Sequence, residues 1–157
     1  MMRFGFLMPS AVLLAVLLAE PAAAQYAVQS AARNFPFDKA FRVISISGFD
    51  VQKQTITFTV SKSQKDGRYQ SSGNAGCNNW TAGAAVADDQ FEVSELGTTK
   101  KMCTKPMMKT EEAFITTLKS AHKWKVDDKG RLIVEGEAGR LLLTSVGGDG
   151  KKPDKKR

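Results

Sequence analysis

A chain of 157 residues, 42% of them hydrophobic and 25% charged, is the size of one domain with a core of its own. A single histidine excludes metal centres that need several imidazoles and leaves no Cys-His or Ser-His-Asp pairing to read from residue order. The net charge of +7 suits either a nucleic acid or an anionic surface, and the compartment chooses between them.

Residues 1–24 place one charge, Arg3, before the apolar stretch 11–19 and finish in Glu20-Pro21-Ala22-Ala23-Ala24. That is the layout of a secretory signal peptide, and the small residues Ala22 and Ala24 predict cleavage between Ala24 and Gln25. As a membrane anchor the segment is interrupted by Gly5 and Pro9 and falls short of the roughly 20 apolar residues a spanning helix needs. The mature chain is therefore expected to be periplasmic or secreted and not membrane-spanning. No cysteine follows the cleavage site, which argues against a lipid-anchored lipoprotein. Arg3 and Glu20 leave together, so the charge stays at +7. Export also separates the chain from nucleic acid, and the aromatics do not interleave with the bases as a stacking surface requires.

Residues 25–40 show no sustained period and read as an arm. The domain is expected over 41–146. It opens on alternating residues in 42–46 and 54–60, where Ile56, Phe58 and Val60 share one face and Thr55, Thr57 and Thr59 the other. A turn at Lys65-Asp66-Gly67 precedes an extended segment from Arg68 toward Cys77. Strand follows over 80–86, a turn at Asp88-Asp89, and more strand over 91–93 and 96–100. One segment breaks the alternation: Met107, Phe114, Leu118 and Ala121 fall at helical spacing, with Pro106 first, Glu111 and Glu112 early, and Lys119, His122 and Lys123 late. This predicts one amphipathic helix over 106–121. Two tight turns, 127–130 and 136–139, then separate three strands of a meander, and Leu141-Leu142-Leu143 marks a central strand covered on one side by the helix. The fold class is α+β, mostly antiparallel β. The glycine-rich, basic segment 147–157 reads as a flexible tail.

Cys77 and Cys103, an even pair in an exported chain, are expected to form a disulfide. Closing a loop of about 27 residues stabilises a fold by about 3.5 kcal/mol on the chain-entropy model. The alternatives are two separate buried thiols or a redox couple; redox cysteines usually lie closer together, as in Cys-x-x-Cys, which favours a structural bridge. Gly76 and Gly83 are expected at bends, and Asn78 is a residue that can tolerate a left-handed turn. Trp80 is read first as a packing residue. The Asn78-Asn79 pair beside it still makes this loop the best candidate for recognition.

The acid pairs Asp88-Asp89, Asp127-Asp128 and Glu111-Glu112 read as solvated charges rather than as general acids or bases, and the turn at 127–130 lacks the ligand repeat of a calcium loop. His122 reads as a solvated cation at the helix end. No catalytic residue, cofactor or metal site is assigned.

The run Gly76-Cys77-Asn78-Asn79-Trp80-Thr81-Ala82-Gly83, followed by Thr98-Thr99-Lys100-Lys101-Met102-Cys103 and a helix with Glu112, Phe114 and Leu118, resembles the META domain family, which includes the heat-shock protein HslJ. The resemblance covers roughly residues 41–146. It departs from the family pattern at the start, where Phe41 or a neighbour stands in for a tryptophan strand, and in the basic tail. It implies a compact antiparallel sheet or partial barrel with one packed helix, and a role in stress or antibiotic tolerance, motility or secretion without established catalysis. The expected activity is that of a non-catalytic binding or assembly module of the cell envelope, whose partner is an unidentified envelope protein or an anionic envelope surface. The alternatives are a secreted inhibitor of an envelope or host hydrolase, using the Asn78–Trp80 loop as a plug, and a thiol-dependent redox enzyme.

Overall fold

The computed structural model describes residues 34–65 and 68–147. The expected signal peptide, most of the arm, part of the turn at 65–67 and nearly all of the basic tail lie outside them. Among the described residues no helix is long and apolar enough to cross a membrane.

Alternation of apolar and polar residues governs the fold from Phe41 onward. The strands are β1 (Phe41–Ile46), β2 (Phe49–Asp50), β3 (Thr57–Lys65), β4 (Arg68–Asn74), β5 (Asn79–Ala87), β6 (Gln90–Thr98), β7 (Ala121–Val126), β8 (Leu132–Gly136) and β9 (Gly139–Ser145), with one helix, α1 (Lys105–Lys119), between β6 and β7. All pairings are antiparallel and join neighbours in sequence, apart from β1, which also pairs with β3 and with β9. The β1–β9 ladder, from Phe41↔Ser145 to Ile46↔Leu141, closes β1 and β3–β9 into an eight-stranded barrel. The expectation of a sheet or partial barrel is thereby sharpened to a closed one. Eight strands enclose an interior that side chains just fill. Phe58, Val60, Trp80, Ala84, Phe91, Leu132, Val134, Leu141 and Leu143 fill it here, each at most 1% exposed.

Strand β5 shows the two-residue period most plainly, with Trp80, Ala82, Ala84 and Val86 buried and the residues between them more exposed. The β1–β2 hairpin turns on Ser47 and Gly48, both at positive φ (49° and 92°), the geometry whose twist matches a two-residue β-hairpin. Within β9, Leu141 and Leu143 point inward and are fully buried, while Leu142 faces Ile133 across the ladder on the other side.

The helix begins one residue earlier than expected and ends at Lys119, because Ala121 opens β7. Its first turn carries no acid. Glu111 and Glu112 lie deeper in the helix and do not serve its N-terminal dipole. Phe114, Thr117 and Leu118 form its buried face, the two apolar ones contributing about 4 kcal/mol of burial. The helix packs against β1, β6, β8 and β9, and β6 pairs with β7 through Gln90↔Lys123.

The other end of the barrel is filled by residues expected in the arm. Phe35 is 4% exposed and packs on Trp124 and Phe91, with ring centroids 4.9 and 5.9 Å away. Phe37 lies 4.4 Å from Tyr69, and the Asp38 carboxylate accepts a hydrogen bond from the Lys62 amide at 3.0 Å. The packed domain therefore reaches back to residue 35 rather than starting at 41.

Candidate functional site

The Gly-Cys-Asn motif forms the connection between β4 and β5. Gly76 has φ 103°, a conformation side chains rarely adopt. A Cβ there would also stand 2.9 Å from Gln54 Oε1. The Gly76 amide donates to Asn74 Oδ1 at 2.8 Å, and the turn delivers Cys77 and Asn78 toward the first half of α1.

Cys77 and Cys103 are joined, with Cα atoms 6.0 Å apart. The bridge ties the β4–β5 connection to the segment just before the helix.

Asn78 is 2% exposed, and its side chain spends its hydrogen-bonding capacity on two segments, the strand exit at 99–101 and the helix. Oδ1 accepts from the Thr99 hydroxyl at 2.8 Å and from the Lys101 amide at 2.7 Å. Nδ2 donates to Glu111 Oε1 at 2.9 Å and, more weakly, to the Lys101 carbonyl at 3.3 Å. The Asn78 backbone amide donates to Glu111 Oε2 at 2.7 Å. A carboxylate only accepts, so Glu111 fixes which way the asparagine amide points. Asn78 does not use the left-handed conformation that asparagine tolerates; its side chain is what the site requires. Glu111, expected as a solvated charge, is a half-buried acceptor for both Asn78 donors.

Trp80 takes the packing role. It is 1% exposed, its ring centroid lies 5.7 Å from those of both Phe58 and Phe114, and its indole N–H donates to the Thr57 carbonyl at 3.2 Å. Gly83 sits within β5 beside a register shift, where a Cβ would press on Ser94 Oγ at 3.0 Å. Of the motif residues singled out for recognition, Asn79 alone is exposed, and its side chain accepts from Asn74 Nδ2 at 3.0 Å.

Sequence reasoning passed over Glu111 and Thr99 as parts of this site. The available signal was an asparagine beside a half-cystine, which must find partners once the bridge buries it.

The surface around this cluster offers two features. A groove of about 550 Å3 runs between the β1–β2 turn and α1, bordered by Ser47, Phe49, Val51, Lys109 and Thr116. The second is the segment 99–105, which carries Lys100, Lys101, Met102 and Lys105 outward. His122 is exposed at the start of β7. Among the described residues no three His, Cys, Asp or Glu side chains gather as a metal would require.

A profile of the META domain matches residues 34–147, the span over which the barrel is built. An NMR structure of a protein from Burkholderia xenovorans is similar in fold, with a TM-score of 0.55 at 19% identity, covering 92% of this chain and 96% of that one. A second NMR structure gives a TM-score of 0.54 at 17% identity over 68% of this chain and 87% of the other. No curated protein matches the chain.

Proposed function

The chain belongs to the META domain family, and on that premise we propose that it is a non-catalytic, exported module of the cell envelope that binds a partner or assists assembly during stress or antibiotic exposure. The observation that carries this reading is the commitment of the motif's polar groups to the fold. Asn78 and Glu111 satisfy each other, and the two thiols are joined to each other. What remains turned to solvent is suited to contact. The disulfide in turn fits an oxidising compartment, and the sequence of residues 1–24 fits export.

The inhibitor reading draws less support, because a plug built on Asn78 and Trp80 needs side chains that the barrel buries. Two measurements test the proposal together. Fractionation with intact-mass analysis is expected to find the chain outside the cytoplasm, beginning at Gln25. A deletion strain is expected to lose survival under heat or cell-wall antibiotics and to regain it with the full-length gene. Cytoplasmic retention of an unprocessed chain, or a deletion strain indistinguishable from the parent under every stress, refutes it.

A further inference from the structure

Met102 is 91% exposed, the most exposed of the large hydrophobic residues among those described, yet the backbone on either side of it is held. Before it, the Lys101 amide and carbonyl both bond to the Asn78 side chain, at 2.7 and 3.3 Å. After it, Cys103 is bridged to Cys77. The methionine is thus presented by a fixed support, so little ordering is lost when it enters a partner.

The surroundings are cationic. Lys100, Lys101, Lys105 and Lys109 are all exposed, and among the described residues none is in an ion pair. None of these lysines is paired with the acids nearest in sequence: Glu111 is turned to the two Asn78 donors, and Glu112 lines the groove on the β1–β2 side together with Lys109. An apolar tip ringed by lysines matches a surface that is anionic outside and apolar beneath.

We propose that segment 99–105, with Lys109, is a docking surface for an anionic lipid bilayer: Met102 enters the boundary between headgroups and acyl chains while Lys100, Lys101, Lys105 and Lys109 meet the lipid phosphates. The inference deepens the envelope reading and rests on it only for the presence of a bilayer. The bilayer accounts for both halves of the patch, since a soluble phosphate gives Met102 nothing to enter.

The test is flotation of the oxidised mature chain with vesicles of phosphatidylglycerol mixed with phosphatidylcholine, against phosphatidylcholine alone. Each lysine near an anionic surface raises partitioning about fivefold, so Lys100→Gln with Lys101→Gln is expected to weaken binding about 25-fold. Met102→Ser is expected to weaken it about tenfold without changing net charge. Trp80 and Trp124 are buried, so Met102→Trp adds an exposed indole whose emission is expected to shift blue on the anionic vesicles only. A variant with Lys151, Lys152, Lys155 and Lys156 changed to Gln serves as the tail control and is expected to keep the Met102 dependence. Equal binding to both kinds of vesicle, full binding by Met102→Ser, or loss in the tail variant alone overturns the proposal. Unchanged melting temperatures of the variants establish that the fold is kept. A cytoplasmic location would end the envelope reading while leaving the vesicle result to stand or fall by itself.

Discussion

Asn78 couples a strand connection, a β-strand exit and a helix through one amide, and the consequences of removing it follow from what each partner loses. Asn78→Ala leaves the Glu111 carboxylate with only the backbone N–H and strands the Lys101 amide, at a cost of about 3 kcal/mol, measurable by urea unfolding. Glu111→Gln offers one acceptor where two donors point, so one donor meets an NH2 group, and a loss of about 1.5 kcal/mol is expected. In a double-mutant cycle with Asn78→Ala and Glu111→Ala, the coupling is expected to be at least 1 kcal/mol; additive losses would show that the two residues do not act as a unit. The sequence marks Asn78 as part of the motif and as a residue at ease in a turn, and neither property contains its role. Turn propensity is a local property of asparagine, whereas this role arises from Glu111, 33 positions away, and only the fold brings the two together. Trp80 was more legible, since an indole in an alternating strand is most often a core residue.

At the scale of elements, the bridge and the turns carry separable predictions. Replacing Cys77 and Cys103 by serine is expected to lower stability by about 3.5 kcal/mol in oxidising buffer; strong reductant is expected to bring the wild type to the same level and leave the variant unmoved. An unchanged melting temperature in the variant would refute a structural role for the bridge. In the β7–β8 turn, the Arg131 side chain donates to Asp127 Oδ2 at 2.7 Å and the Arg131 amide to Oδ1 at 2.9 Å. These bonds, the side-chain one first, hold the Asp127 carboxyl below its ordinary value of 3.8. A carboxyl whose pKa is lower folded than unfolded stabilises above the unfolded value, and that contribution disappears as pH falls through the folded one. Asp127→Asn is therefore expected to lower the melting temperature near neutral pH, with the gap from wild type narrowing in acid, below about pH 4. A gap that stays constant into strong acid would refute the assignment. The existence of these turns was legible from Asp-Asp-Lys-Gly and from the paired glycines. The two-residue strand β2 was not, because Phe49 is 77% exposed and its pairing with Ile46 leaves no alternation to detect.

The barrel as a whole is closed by a ladder between its first and last strands, and nothing local in either strand announces that they meet. The run Leu141-Leu142-Leu143, apolar on both faces, does mark β9 as a central strand; that one of its neighbours is β1 is a matter of topology. A barrel has two open ends, each needing apolar cover, and the two covers come from different parts of the chain. Helical spacing of Phe114 and Leu118 disclosed α1. The other cover is a stretch of irregular backbone around Phe35-Pro36-Phe37, with neither helical nor strand period, so it read as an arm. Its side chains show otherwise: Phe35 contacts Trp124 and Phe91 by ring packing, and the Asp38 amide donates to the Val60 carbonyl at 2.8 Å. Phe35→Ala is therefore expected to cost about 3 kcal/mol through the cavity it leaves at this end of the core. A chain begun at residue 41 is expected to lose that contact together with the Asp38 hydrogen bonds, and so to fall further than the single substitution. Urea unfolding of the mature chain, the Phe35→Ala variant and the shortened chain places the three in that order. If the shortened chain equals the mature one, residues 34–40 are the dispensable arm that their sequence suggests, and the barrel closes without them.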